Sequence, residues 1–331
     1  MQFTYLGKTG LRVSRLCLGT MNFGTRTTPA VANQIMDRAL ELGLNFFDTA
    51  DVYGDGPEGH HGLTEELIGN WFAQGQHRRD RVVLATKTYE PLDEPLDGPN
   101  DAAGISAYKI YRHLDASLRR LQTDHVELYQ MHHIDHRINF DEVYDAFQNV
   151  IARGQAYYVG SSNFGARHLA YAKAAANNRH FLGLVSEQHR YNLLCRLPEL
   201  EVLPAAQELG MGLLTWSPLA GGLLADHLLD GNPDPNSKRA AALQRLTPAQ
   251  RTQLQAYADL CHELGESESN VALAWLLANP AVTAPVIGPR TVAQLENAVH
   301  ALDIQLDAPT LQRLDTIFPG PGGAAPEAYA W

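Results

Sequence analysis

The stretch NFFDTADVYG, residues 45–54, passes without a break from an apolar run into a polar loop. Asn45–Phe47 reads as a short buried strand, and Asp48 and Tyr53 follow it at once. Working outward, Ala32–Leu42 just before it has apolar residues spaced near 3.6, which predicts a helix. The same alternation recurs nearly from end to end. Candidate strands are Leu16–Leu18, Asn45–Phe47, Val82–Thr86, Val126–Met131, Tyr157–Gly160, Leu184–Gln188, Gly212–Trp216 and Val282–Ile287. Between them Ile110–Leu121, Val143–Ile151, Leu200–Leu209 and Leu254–Leu264 also carry helical spacing. Eight strand–helix units fit an α/β fold of the (β/α)8 TIM-barrel kind better than an open doubly wound sheet. No G-x-G-x-x-G follows a strand, so the open fold lacks its dinucleotide-binding motif.

Ahead of the first strand, Phe3–Leu6 and Leu11–Val13 flank the turn Gly7–Gly10 and predict an N-terminal β-hairpin that plugs the barrel bottom. No linker and no solenoid repeat divides the chain, so residues 1–331 are expected to form one barrel domain. Three stretches break the rhythm: Glu90–Ile105, Asp230–Ala241, and the irregular C-terminal tail Phe318–Trp331, which is rich in Pro and Gly yet ends in Tyr-Ala-Trp. Loops that follow barrel strands lie on the C-terminal face, where barrel enzymes keep their active sites.

Composition narrows the function. Among 331 residues, 26 Lys and Arg stand against 37 Asp and Glu, a formal net charge of −11. With no Lys/Arg-rich run, binding to nucleic acid or to an anionic membrane is not expected. Cys17, Cys195 and Cys261 lie far apart and form no C-x-x-C, the usage of a reducing cytosol. The start, MQFTYLGKTGLRV, has no signal-peptide core, and the apolar run Val271–Ala278 is too short to span a bilayer. A cytoplasmic protein is expected; a homo-oligomer is left open.

Four residues fall at strand ends or just beyond on the chemically active rim. Asp48 and Tyr53 follow the second strand, Lys87 ends the third, and His132 ends the fourth. Alone, each reads most simply as structural; together on one rim they make a reacting set. A tyrosine hydroxyl has a pKa near 10, too high for an efficient acid at neutral pH. An ammonium ~4 Å away, at an effective dielectric of ~20, stabilises phenolate by about 4 kcal/mol. That is up to ~3 pKa units before desolvation. Lys87 supplies such a charge, Asp48 can hold Lys87 protonated, and His132 can orient a carbonyl oxygen.

These residues resemble the aldo-keto reductase superfamily. The resemblance covers essentially the whole chain, through LGKTGLRVSRLCLGTMNFG (6–24), FDTADVYG, LATK, LYQMHHID (128–135), VGSSNF (159–164), VSEQHRYN (185–192), WSPLAGGLL (216–224) and VIGPRTVAQLEN (286–297). It is nearest to bacterial members related to potassium-channel β subunits, including reductases of deoxysugar pathways. It implies an NADPH-dependent reductase of a small-molecule aldehyde or ketone, with Asp48, Tyr53, Lys87 and His132 as the catalytic tetrad and Tyr53 as proton donor. By the same matching, Gly19, Thr20 and Met21 lie beside the nicotinamide together with Asp48. Ser161 or Ser162, Asn163 and Gln188 hold its carboxamide, and Tyr191 is a candidate for stacking. Trp216, Ser217, Leu219 and Gly221 lie over the pyrophosphate, and Gly288, Arg290, Gln294 and Asn297 match the adenosine-phosphate end. Arg290 begins a helix, where free N–H groups and a guanidinium fork both suit the 2′-phosphate. Lys238 and Arg239 are further candidates there. The insert DGPEGHHG (55–62) departs from the family's pattern.

Two other classes compete. One is a redox-sensing or regulatory subunit that holds NADPH with little turnover, against which the complete tetrad argues. The other is a metal-dependent barrel hydrolase, but the first strand, LCLGTMN, has no histidine, and His132, His133 and His136 lack a partner cluster. No metal is expected.

Overall fold

The computed structural model describes residues 1–54, 60–92, 98, 102–226 and 238–330. A short antiparallel hairpin, β1 (Phe3–Tyr5) and β2 (Arg12–Ser14), pairs Thr4 opposite Val13. Eight parallel strands follow: β3 (Cys17–Gly19), β4 (Phe46–Asp48), β5 (Val83–Thr88), β6 (Val126–Met131), β7 (Ala156–Ser162), β8 (Leu184–Arg190), β9 (Gly212–Trp216) and β10 (Val282–Ile287). They pair in chain order, and β10 returns to β3 with Val286 opposite Cys17, closing a barrel.

Helices fill the crossovers and follow the last strand: α1 (Pro29–Glu41), α2 (Leu63–Phe72), α3 (Ala107–Leu121), α4 (Phe140–Ala152), α5 (Ala166–Asn178), α6 (Val202–Leu209), α7 (Lys238–Arg245), α8 (Pro248–Leu264) and α9 (Glu268–Ala278) between strands, then α10 (Val292–His300), α11 (Ala308–Ile317) and α12 (Glu327–Ala330). Polar N-caps place several starts. Thr28, Ser106, Asn139, Thr247, Ser267, Thr291 and Asp307 each accept a hydrogen bond from a first-turn N–H. The run Val271–Ala278 lies in α9, a helix apolar on all sides and buried along nearly its whole length. No described helix is long and apolar enough to cross a membrane.

Two apolar layers hold the barrel. The inner one gathers Cys17, Phe46, Ala85, Leu128, Val185, Leu214 and Ala284 from the strands with Leu6 and Val13 from the hairpin. The hairpin therefore plugs the lower end. Lys8 N–H donates to the Gly210 carbonyl at 2.8 Å, and the Arg15 guanidinium donates to the carbonyls of Leu277, Val282 and Thr283. Gly7 makes this fit possible: its φ is +57°, and a Cβ there would meet Gly210 O at 2.6 Å. The outer layer packs the helices on the strands and is much larger.

The departures from the expected elements have local causes. β5 and β8 run two residues further than their apolar cores, because a parallel ladder needs no apolar side chain to continue. The expected helix over 200–209 begins at Val202, with a separate single turn at Leu197–Glu199 around Pro198. Of the irregular stretch 230–241, residues 238–241 lie in α7 and 230–237 fall outside the described residues. The tail is irregular through residue 326 but closes in the short helix α12, so Tyr329 is helical and largely exposed. Phe318, at its root, is buried against Tyr257.

Candidate active site

The loop that carries Tyr53 is built from both sides. Asp48 ends β4, and the chain then bonds to the neighbouring strand: Thr49 N–H donates to Ala85 O at 2.8 Å and Asp51 N–H to Lys87 O at 3.1 Å. On the far side Thr64 N–H donates to Tyr53 O at 3.2 Å. Gly54 turns the chain with φ +114°, and a Cβ there would lie 2.5 Å from Leu63 Cβ and 2.9 Å from His60 O. Only glycine satisfies both the dihedral and the contact.

Lys87 stands at the centre of the upper barrel, fully buried. Its Nζ donates to Asp48 Oδ2 at 2.5 Å, to the Thr49 carbonyl at 2.8 Å and to Tyr53 Oη at 3.3 Å. Asp48 Oδ1 accepts from Gln130 Nε2 at 3.1 Å and from Gln188 Nε2 at 2.9 Å. His132 meets the Tyr53 ring edge-on, with ring centroids 5.7 Å apart. The four residues expected on one rim are thus brought together.

Their electrostatics differ from the simple expectation in one respect. Burial opposes the Lys87 ammonium, yet Asp48 and Tyr53 outweigh it and hold its pKa above the usual lysine value. Burial is also the largest influence on Tyr53. It lifts the phenol above its ordinary value, with Lys87 pulling down and Asp48 pushing up. The lysine does not lower the tyrosine's pKa overall because burial outweighs its attraction and the Asp48 charge opposes it. Tyr53 is therefore protonated at neutral pH. Burial, then Lys87, then His133 keep His132 well below the usual histidine range, so it is neutral. Its Nδ1 is buried without a hydrogen-bond partner among the described residues. A buried unpaired acceptor is the tolerable choice over an unpaired donor, which puts the proton on Nε2.

The expected cofactor residues occupy the neighbouring arc of the rim, at the ends of β7, β8, β9, β10 and β3, while the tetrad fills β4 to β6. Strand alternation separates the two serines. Ser161 Oγ donates to Glu187 Oε2 at 2.5 Å, and Ser162 donates to the Gln188 carbonyl. Asn163, with φ +61°, donates to His132 O and to Ser162 Oγ, and accepts from Trp216 Nε1 at 3.0 Å. Trp216 is therefore tied into the site rather than merely packed. Gly19 is buried and Thr20 gives its hydroxyl to the Asp48 carbonyl, while Met21 is exposed. Ser217 has φ +53°, and Leu219 and Gly221 follow in a tight turn where Gly221 has φ +68°. Tyr191, the candidate for stacking, is 1% exposed; it donates to Glu199 and packs on Trp275, so it faces away from the rim.

At the other end Gly288 and Arg290 are exposed, and the Arg290 guanidinium has no ionic partner among the described residues. Thr291 caps α10, and the Gln294 side chain accepts from Arg290 N–H at 2.8 Å. Asn297 bonds Asn270 and Ser269, and Asn270 Oδ1 is buried without a partner among the described residues. An unpaired guanidinium at a helix start suits a phosphate group. The side chains of Lys238 and Arg239, and residues 55–59 of the insert, lie outside the described residues. No three His, Cys, Asp or Glu side chains gather as a metal site among the described residues.

Sequence reasoning missed Gln130, Asp51 and His113. Gln130 sits opposite Lys87 in the β5–β6 register; a polar residue two before His132 near the end of a largely apolar strand was the available signal. Asp51 and His113 form a buried pair behind the tyrosine loop, and His113 reads in sequence only as one histidine on an apolar helix face.

The profile of the aldo/keto reductase family matches residues 15–318. The chain is 59% identical over 331 residues, all of both chains, to "Uncharacterized oxidoreductase YrpG" of Bacillus subtilis (strain 168). It is 33% identical over 312 residues, 92% of each chain, to "Probable voltage-gated potassium channel subunit beta" of Oryza sativa subsp. japonica. It is 28% identical over 339 residues, 95% of this chain and 96% of the other, to "Versiconal hemiacetal acetate reductase" of Aspergillus parasiticus. The closed barrel, the rim that joins Asp48, Tyr53, Lys87 and His132, and a family match over most of the length agree: the chain belongs to the aldo/keto reductase family, oxidoreductases that work on carbonyl groups with a nicotinamide cofactor.

Proposed function

We propose that the protein reduces an aldehyde or ketone to the alcohol with NADPH, and that Tyr53 is the proton donor. The observation that carries this reading is the buried ammonium of Lys87, bonded at once to Asp48 at 2.5 Å and to Tyr53 at 3.3 Å. The bound cofactor supplies the hydride to the carbonyl carbon. His132, neutral and carrying its proton on Nε2, donates a hydrogen bond that orients the carbonyl oxygen. Tyr53 Oη gives its proton to that oxygen as negative charge develops there, and Lys87 Nζ stabilises the phenolate left behind. Asp48, held by Gln130 and Gln188, keeps Lys87 in place. Arg290, with the start of α10, takes the 2′-phosphate that distinguishes NADPH. Ser162, Asn163 and Gln188 hold the nicotinamide end, and Trp216, bonded to Asn163, lies over the pyrophosphate. The reading extends to one barrel domain over residues 1–331 and to a cytoplasmic setting.

The resemblance to proteins named as potassium channel β subunits favours one alternative, a regulatory subunit that holds NADPH with little turnover. Cofactor absorbance followed over a panel of aldehydes and ketones separates the two. Steady NADPH oxidation with at least one carbonyl supports the reductase. Tight NADPH binding without oxidation across the panel supports the regulatory subunit.

A further inference from the structure

Behind the reacting rim lies a buried acid that the reaction above does not use. Asp51 sits in the loop between Asp48 and Tyr53 and is fully buried. Its Oδ2 lies 2.7 Å from His113 Nδ1, and Thr88 Oγ1 lies 2.9 Å from the same nitrogen. Its Oδ1 has no hydrogen-bond partner among the described residues. His113 comes from the buried face of α3, and Thr88 is the residue after Lys87 on β5. The Asp51 N–H, meanwhile, donates to the Lys87 carbonyl at 3.1 Å. One residue is therefore tied through its backbone to the strand that carries Lys87 and through its side chain to the helix behind that strand. It stands two residues before Tyr53.

Packing alone does not account for this arrangement. A buried carboxylate–imidazole pair loses its hydration, and apolar residues of similar volume are often at least as stable in such a place. What the pair adds is a fixed orientation for the loop, at the point where Tyr53 Oη must stay within reach of Lys87 Nζ. We propose that Asp51, held by His113, which Thr88 also contacts, is a positioning residue that sets Tyr53 against Lys87. The proposal rests on Tyr53 being the proton donor.

The pair also has an electrostatic consequence. The groups that face Tyr53 are Asp48 from β4, Lys87 from β5 and His132 beyond β6, with Asp51 from its own loop. Those near Asp51 are His113 of α3, Glu65 of α2 with its partner Arg120 of α3, and Tyr129 of β6. The Asp51 carboxylate adds to the forces that keep the Tyr53 phenol protonated. Neutralising it lowers the pH at which Tyr53 loses its proton, an effect that a purely structural role does not produce.

The test uses the full chain with NADPH and the best carbonyl of the panel. Asp51→Asn is expected to lower kcat by about tenfold or more, as small misplacements of a reacting group do. KM should stay within about twofold, and the alkaline limb of the pH profile should move to lower pH. His113→Leu should lower kcat similarly without that downward move, and His113→Gln, which keeps a donor for Asp51, should recover most of the loss. Circular dichroism checks folding; if His113→Leu does not fold, the nearly isosteric Asp51→Asn decides alone. Wild-type kcat and an unmoved limb in folded Asp51→Asn overturn the proposal. Tyr53→Phe separates the two layers: retained turnover defeats the donor assignment itself, whereas an inert Tyr53→Phe beside an unaltered Asp51→Asn defeats only the positioning role.

Discussion

Replacing Arg290 by alanine should erase the preference for NADPH over NADH while leaving NADH binding almost unchanged. The guanidinium is exposed and has no ionic partner among the described residues, so removing it breaks no internal contact. At the start of α10, Thr291 Oγ1 already accepts from Gln294 N–H, and Gln294 Oε1 accepts from Arg290 N–H. The N–H groups of Val292 and Ala293 remain for a phosphate, beside the positive end of the helix dipole. A charge-assisted, bidentate contact is worth about 1.5–3 kcal/mol. Exposure to solvent and salt trims this toward the lower half, roughly 1.5–2 kcal/mol. The wild-type preference should therefore be about tenfold to thirtyfold. Fluorescence titration of both cofactors against wild type and Arg290→Ala gives the four dissociation constants needed. The ratio should collapse toward unity, and the wild-type ratio should shrink as ionic strength rises. Equal weakening of NADPH and NADH binding would refute the assignment of Arg290 to the 2′-phosphate.

Other outcomes follow from the same geometry. Lys87→Met leaves the Asp48 carboxylate buried with only Gln130 and Gln188 as donors, so urea denaturation should show a loss of about 3 kcal/mol, at the lower end for a broken buried pair; a change under about 1 kcal/mol contradicts a charged Asp48–Lys87 pair. Because the folded pKa of Lys87 lies above its usual value, the pair's contribution stands in full below the ordinary lysine range and is lost only as pH rises through the folded value. Reduction requires protonated Tyr53, whose pKa is raised, and neutral His132, whose pKa is well lowered, so kcat should be level between pH 6.5 and 8 or so and fall only on the alkaline side; an acidic limb near the usual histidine range speaks against a neutral His132. The tail bonds the loop beyond β8 through Ala325 N–H to Leu200 O and through Arg196 to the Phe318 carbonyl, so deleting residues 320–331 should alter KM or substrate preference more than Tm; the reverse pattern makes the tail a stabilising strap instead.

The barrel was legible because each strand is a short apolar run set between helical stripes, a pattern that local physics imposes on every (β/α) unit. Val126–Met131, Gly212–Trp216 and Val282–Ile287 are bounded in sequence as they are in space. The meeting of Asp48, Tyr53, Lys87 and His132 was legible because they lie at strand ends or just beyond, where the fold aims side chains at the upper rim. What stayed hidden depends on contacts between distant segments. Gln130 and Gln188 meet on one oxygen of Asp48 from strands 58 positions apart, and nothing local announces that meeting. His113 finds Asp51 across 62 positions for the same reason. The net direction of the Tyr53 pKa stayed hidden because the size of the burial effect, which outweighs the Lys87 attraction, is set by packing between distant segments. Tyr191 looked available as an aromatic beside the site, yet the turn after β8 sends it toward Trp275.

The central claim is that Tyr53 delivers the proton. Its most direct test is single-turnover reduction of a reactive aldehyde by Tyr53→Phe, with NADPH binding measured on the same preparation. The substitution removes one oxygen, and the arc of proposed cofactor residues from β7 round to β3 is untouched. The account predicts NADPH affinity within about twofold of wild type and a turnover rate lower by at least about a hundredfold, the scale of general acid catalysis. A Tyr53→Phe protein that binds NADPH normally and still reduces the aldehyde near the wild-type rate contradicts it.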